Sequence, residues 1–145
     1  MKEPDMTKEQ PSHERRYPES LRLKLITPAL TVDDLQASLS FYRDVLGFTV
    51  KESWEDEGEL RGVALVAGGA QLMLGQDDWK KGRDRPKGVA LRFWFTVSRP
   101  VDELAGEIRA RGGTLASEPE DMPWGGRAFS IVDPDGFQIT FASDD

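Results

Sequence analysis

Two stretches of the chain repeat each other, and this repeat narrows the possible folds more than any other feature. "LTVDDLQASLSFYRDVLGFTV" (Leu30 to Val50) aligns with "FTVSRPVDELAGEIRARGGTL" (Phe95 to Leu115) at a constant spacing of 65 residues. Thr31 then meets Thr96, Val32 meets Val97, Leu39 meets Leu104, Gly47 meets Gly112 and Thr49 meets Thr114. Further on, "GAQLML" (Gly69 to Leu74) lies over "GFQITF" (Gly136 to Phe141) at a spacing of 67. A matched order of strand, helix, glycine stop and later strands marks one supersecondary unit used twice.

Each copy reads alike. A strand opens it, "KLITPALTV" in the first and "VALRFWFTV" in the second. A helix follows. In the first copy Leu35, Leu39, Tyr42, Val45 and Leu46 form one apolar stripe, Asp33 or Asp34 caps its start, and Gly47 stops it. In the second, Ser98 is a candidate cap, Pro100 suits the first turn, Val101, Leu104, Ala105 and Ile108 make the stripe, and Gly112 ends it. Three shorter strands complete each unit. They fall near Thr49 to Trp54, Leu60 to Val66 and Gln71 to Leu74, then near Thr114 to Ser117, Arg127 to Val132 and Phe137 to Phe141. "DPDG" joins the last two, with Gly136 free to take the left-handed conformation that closes a hairpin. The expected fold class is α+β: two βαβββ modules. Module one spans residues 21–75, a linker 76–88, and module two 89–143, within a single domain of residues 21–145.

Composition removes several kinds of chemistry. The chain has no cysteine, so thiolate metal sites and cysteine nucleophiles are excluded. Its one histidine, His13, excludes sites needing two imidazoles from one chain. His13 lies in residues 1–20, which are charged and proline-bearing and read as a disordered tail rather than a secretory signal. No apolar run approaches the roughly 20 residues that span a bilayer, so a cytoplasmic protein with no membrane partner is expected. A formal net charge of −7 disfavours nucleic-acid binding. "DDWKKGRDRPKG" runs against that balance, and it reads as a solvated basic loop.

Strand alternation sorts the side chains. Leu91, Phe93, Phe95 and Val97 form an apolar side that packs under a helix; Ala90, Arg92, Trp94 and Thr96 take the other side. By the repeat, Thr27, Ala29 and Thr31 occupy the positions of Arg92, Trp94 and Thr96. On the last strands Leu72 and Leu74, like Phe137, Ile139 and Phe141, face the helix, which leaves Gln71, Met73, Gln138 and Thr140 on the opposite side. The candidate ligand-binding set is therefore Thr27, Met73, Arg92, Trp94, Gln138 and Thr140, joined by Trp124 in "PWGGRAF". Hydrogen-bonding groups, a cation and large aromatics together suit a small-molecule cavity. The plainer reading packs the two faces on each other with Arg92 paired to an acid, and makes Trp124 a plug at a subunit seam. Trp54 and Trp79 fall in charged loops and stand as candidates for the mouth or a subunit contact.

The segments "LTVDDLQASLSFYRDVLGF" and "PWGGRAFSIVDPDGFQITF", in this order and with an internal repeat, resemble the vicinal oxygen chelate superfamily. That group contains glyoxalases, bleomycin-resistance proteins and extradiol dioxygenases. The resemblance covers about Leu21 to Ser143 and implies a curved eight-stranded cup, a homodimer, and metal ligands at four inner positions. Those positions are Thr27, Arg92, Met73 and Thr140 here, and none is a histidine or carboxylate. No metal and no other cofactor is therefore expected, and the chain is most similar to the bleomycin-resistance branch, which sequesters a compound without chemistry. The expected function is capture of a planar or amphipathic small molecule. A metal-dependent glyoxalase-like lyase, isomerase or dioxygenase is one alternative, and a structural or regulatory dimer without a ligand is another.

Overall fold

The computed structural model describes residues 21–144; the tail expected over residues 1–20 lies outside them. Eight strands and two helices follow in the order β1 (Ala29–Val32), α1, β2 (Thr49–Asp56), β3 (Glu59–Ala67), β4 (Ala70–Gln76), β5 (Arg92–Val97), α2 (Val101–Ala110), β6 (Leu115–Asp121), β7 (Arg127–Val132) and β8 (Gln138–Ser143). Helix α1 is regular over Leu35–Leu39 and continues as a wider π-helix over Ser40–Leu46. Two four-stranded sheets result, ordered β1-β4-β3-β2 and β5-β8-β7-β6. In each, the first strand pairs in parallel with the last, and the remaining pairs are antiparallel. The two modules are thus the same unit, as the repeat requires.

Local signals explain most boundaries. Asp34 caps α1 by accepting from the Ala37 amide, and Gly47 at φ +104 ends it while donating to the Tyr42 carbonyl five residues back. Asp133 organises the β7–β8 turn: its Oδ1 accepts from the amides of Asp135 and Phe137, at 2.8 and 2.9 Å. Gly136 at φ +94 closes that turn.

Three expectations need correction. Ser98 does not cap α2; Pro100 is the N-cap, with no side-chain hydrogen bond. The opening strand of module one is short, beginning at Ala29 rather than Lys24, because Leu21 to Ile26 pair with no strand among the described residues and lie exposed. Leu91 does not join the apolar side of β5. The strand begins one residue later, after Gly88 and Ala90 both turn at positive φ, and Leu91 is 45% exposed.

The core is one cluster drawn from both modules, including Leu30, Tyr42, Phe48, Leu65 and Leu74 from the first and Phe93, Ile108, Phe129, Ile139 and Phe141 from the second. Helices and turns make the joint between the modules. Phe48 meets Phe95 edge-on at 6.0 Å, and the Arg111 guanidinium donates to the Val45 and Leu46 carbonyls at the end of α1. Buried Tyr42 donates its hydroxyl to Asp133 Oδ2 at 2.7 Å. Asp135 accepts from the Asp33 amide and the Ser38 hydroxyl. The sheet faces turned away from the helices are exposed in part: Trp54 and Trp94 stand out, while Ala64, Ala128, Thr140 and Ala142 are buried. Among the described residues, no helix is long and apolar enough to cross a membrane.

Candidate functional site

The non-helix face of module two is built in rows. Arg92 of β5 stands opposite Gln138 of β8, and Trp94 stands opposite Thr140. Thr140 in turn faces Ser130 of β7, and their hydroxyl oxygens are 3.1 Å apart. Strand alternation puts all five side chains on one surface, because residues two apart on a strand share a face. Thr140 is buried, while Trp94 is 48% exposed. The hydroxyl pair is thus the floor, and the indole stands beside it.

Trp124 reaches this surface from the β6–β7 hairpin. The Met122 amide donates to the Gly126 carbonyl and the Gly125 amide to the Met122 carbonyl, and Gly125 and Gly126 both lie at positive φ. Pro123 and Trp124 are thereby held at the tip of a tight loop. The indole is 71% exposed on its own, yet its ring centroid lies 6.3 Å from that of Trp94, tilted by 42°. The tilt makes an open aromatic wedge rather than a closed stack. Gly125 and Gly126 thus serve a definite purpose: only residues tolerating φ > 0 let the loop fold back towards β5.

Arg92 is exposed. Among the described residues it makes no ion pair, unlike Arg85, Arg99, Arg109 and Arg127, each of which meets a carboxylate. A guanidinium beside a polar floor and two indoles suits an anionic or carbonyl-bearing group on a flat molecule.

Two concavities flank the wedge. One, of about 360 Å³, is an apolar crevice between Trp94, Phe95 and Phe141 and the Leu46–Phe48 and Ala67–Ala70 turns of module one. The other, of about 750 Å³, lies between the start of α2 and the loop carrying Trp124, bounded by Arg99, Asp102, Gly125 and Arg127. Its two arginines are neutralised by Glu103 and Glu107, and by Asp102 and Asp121, respectively.

Thr27 and Met73 belong to module one. Met73 pairs with Ala29 of β1, and Thr27 lies just before that strand, half-buried. The structure therefore gathers Arg92, Trp94, Trp124, Gln138 and Thr140 on one surface and leaves Thr27 and Met73 on the other sheet. One residue was missed. Ser130 shares the floor with Thr140, and alternation along "RAFSIV" carries that signal. Trp54 lies in β2, not in a loop.

Trp79 is accounted for within the linker. Arg83 and Lys87 lie over its ring at 4.6 and 5.2 Å. Lys87 also joins Asp33 to buried Asp77. The Asp77 carboxylate accepts from the Trp79 amide, Lys87 and Arg85, and its pKa falls to about 2.

The chain belongs to the Glyoxalase/Bleomycin resistance protein/Dioxygenase superfamily, whose model matches residues 24–141. It is similar to Virulence protein STM3117 of Salmonella typhimurium, at 28% identity over 112 residues, covering 74% of each chain. Among solved structures it resembles TioX from Micromonospora sp. ML1, at 22% identity and TM-score 0.69, covering 83% of this chain and 98% of that one. It also resembles TnmS3, an antibiotic binding protein from Streptomyces sp. CB03234, at 23% identity and TM-score 0.67, covering 88% of this chain and all of the other.

The metal that the superfamily implies can be tested against the residues present. Thr27, Met73, Arg92 and Thr140 do not fit it: Arg92 is a permanent cation, and neutral hydroxyls with a thioether are poor donors to a hard or borderline divalent ion. Among the described residues, no group of three His, Cys, Asp or Glu side chains converges elsewhere.

Proposed function

We propose that this protein captures a planar small molecule, without metal or other cofactor, on the non-helix face of module two, and does so in the cytoplasm as a homodimer. The carrying observation is the tilted Trp94–Trp124 pair, exposed beside the Thr140–Ser130 hydroxyls with Arg92 and Gln138 in the adjacent row. Such pairs gain about 0.5–1.5 kcal/mol per aromatic contact, and a flat ring laid on the exposed face of either indole makes one. Arg92 then favours a ligand carrying a carboxylate, sulfonate or phenolate. Thr27 and Met73 complete the hollow from module one. Exposed Leu21, Leu23, Leu25, Ile26, Val89 and Leu91, which flank the outer edges of β1 and β5, support the homodimer. The antibiotic-binding relative is consistent with capture.

Titration with anthraquinone-2-sulfonate, a flat three-ring anion, tests the reading. Tryptophan fluorescence is expected to quench saturably, and Trp124→Ala to weaken binding tenfold or more. An unchanged dissociation constant in that variant removes Trp124 from the site. Stoichiometric nickel, zinc, iron or manganese in protein purified without chelators would favour metal-dependent conversion instead.

A further inference from the structure

The β6–β7 hairpin is weakly built where it carries Trp124. Ser117 faces Ser130, and pairing resumes only at Glu120 with Ala128 and Asp121 with Arg127. Pro119 lies in that gap and has no N–H to give to a partner strand. Packing does not fix the loop from behind either, because a hollow of about 750 Å³ lies between Met122, Gly125 and Gly126 and the start of α2. One side chain spans these gaps. Arg127, the first residue of β7, donates from Nη1 to Asp121 Oδ1 at 3.0 Å and from Nη2 to the Pro119 carbonyl at 3.1 Å, both on β6. Nη2 and Nε also reach Asp102 Oδ1 in the first turn of α2, at 3.2 and 3.4 Å. The Arg127 amide donates to Ser143 Oγ of β8 at 2.9 Å. Only a planar fork of several donors can hold acceptors on separate elements at once; a lysine ammonium presents a single point.

We infer that Arg127 is the positioning residue of the binding site: by tying both arms of the hairpin to α2 and β8, it sets the angle at which Trp124 meets Trp94. This rests on the function proposed above. The wedge depends on a 6.3 Å separation and a 42° tilt between two rings carried by different elements, β5 and the loop just before Arg127. A loop free to swing about Gly125 and Gly126 would close the indoles on each other or part them. Either change costs affinity, since the wedge must then be rebuilt when the ligand binds. Arg99 gives the contrast. It borders the same hollow, but among the described residues its acceptors are Glu103 and Glu107, both on α2, so it ties nothing to the hairpin.

Two indoles this close and tilted couple excitonically, so the pair gives a far-ultraviolet circular dichroism couplet, which Trp124→Phe identifies by removing it. In the full chain, Arg127→Gln is expected to reduce that couplet by about half and to weaken anthraquinone-2-sulfonate binding about fivefold. Arg127→Lys keeps the charge but not the fork. It is expected to change both readouts in the same direction, and it decides the matter if Arg127→Gln does not fold. Arg99→Gln is expected to leave both unchanged. A parent chain without the couplet, or an intact couplet in a folded Arg127 variant, overturns this inference; if Trp124→Ala still weakens binding, the proposed function stands. A reduced couplet with an unchanged dissociation constant overturns it too. So does an equal loss in Arg99→Gln, because removal of any surface cation would then suffice. A couplet reduced in the Arg127 variants alone, with no saturable binding by the parent chain, upholds the positioning and overturns the proposed function.

Discussion

Tyr42 shows how single residues hold this molecule together. Its ring is fully buried between Phe41 and Phe48, and its hydroxyl donates to Asp133 across the joint between modules. Burial, reinforced by the neighbouring carboxylate, pushes the phenol well above its ordinary pKa, so the group stays a neutral donor at every pH of interest. Tyr42→Phe removes that donor while keeping the ring. The expected loss is about 1.5–3 kcal/mol, as for other hydrogen bonds to charged groups, and urea unfolding measures it. An unchanged urea midpoint would show that water replaces the hydroxyl at no cost. The sequence placed Tyr42 on the apolar stripe correctly, but its partner lies 91 residues away, and periodicity carries no information about such a pairing. Arg92 teaches the same lesson: alternation assigned its face, while its exposure depends on packing that one strand does not encode.

At the scale of elements, the linker between β4 and β5 is an electrostatic tether. Lys87, largely buried, bridges Asp33 and Asp77, and Arg85 adds a second cation to Asp77. Gly88 passes so close to Gly136 that a Cβ there would lie 2.5 Å from its carbonyl carbon. Because the folded pKa of Asp77 is about 2, below the unfolded value near 3.9, its ionised form stabilises the native state above pH 4. That contribution is lost as pH falls from about 4 through 2. Asp135 shifts the other way, raised chiefly by burial, so acidification relieves its desolvation over its own range. Asp77→Asn is therefore expected to flatten the acid limb of stability between pH 4 and 2, read from urea midpoints across that window; an acid limb as steep as in the parent chain would contradict the tether. The sequence read this segment as a solvated basic loop. Net charge was visible there, but the burial of Asp77 and Lys87 arises only when the linker folds back on β1. Trp54 stood at the boundary for a related reason: alternation ended a strand there while its acidic neighbours suggested a loop, and pairing with Gly62 decided its place in β2.

The whole molecule follows from its repeat. Paired βαβββ units, a common core and the strand rows were legible because spacing and alternation determine them directly. The site was legible in part: five of the seven expected residues share one surface, and the other two lie on the sheet of module one. How the two sheets are placed depends on packing between distant residues, which leaves no periodic trace in one sequence. We propose that Trp94 and Trp124 on the non-helix face, and not Trp79 in the linker, receive the ligand. Fluorine NMR of protein labelled with 5-fluorotryptophan tests it most directly. Its four resonances, from Trp54, Trp79, Trp94 and Trp124, are assigned by single substitution. On adding anthraquinone-2-sulfonate, those of Trp94 and Trp124 are expected to shift together and saturate, while that of Trp79 stays fixed. Stationary Trp94 and Trp124 signals, or a shift confined to Trp79, would contradict this site.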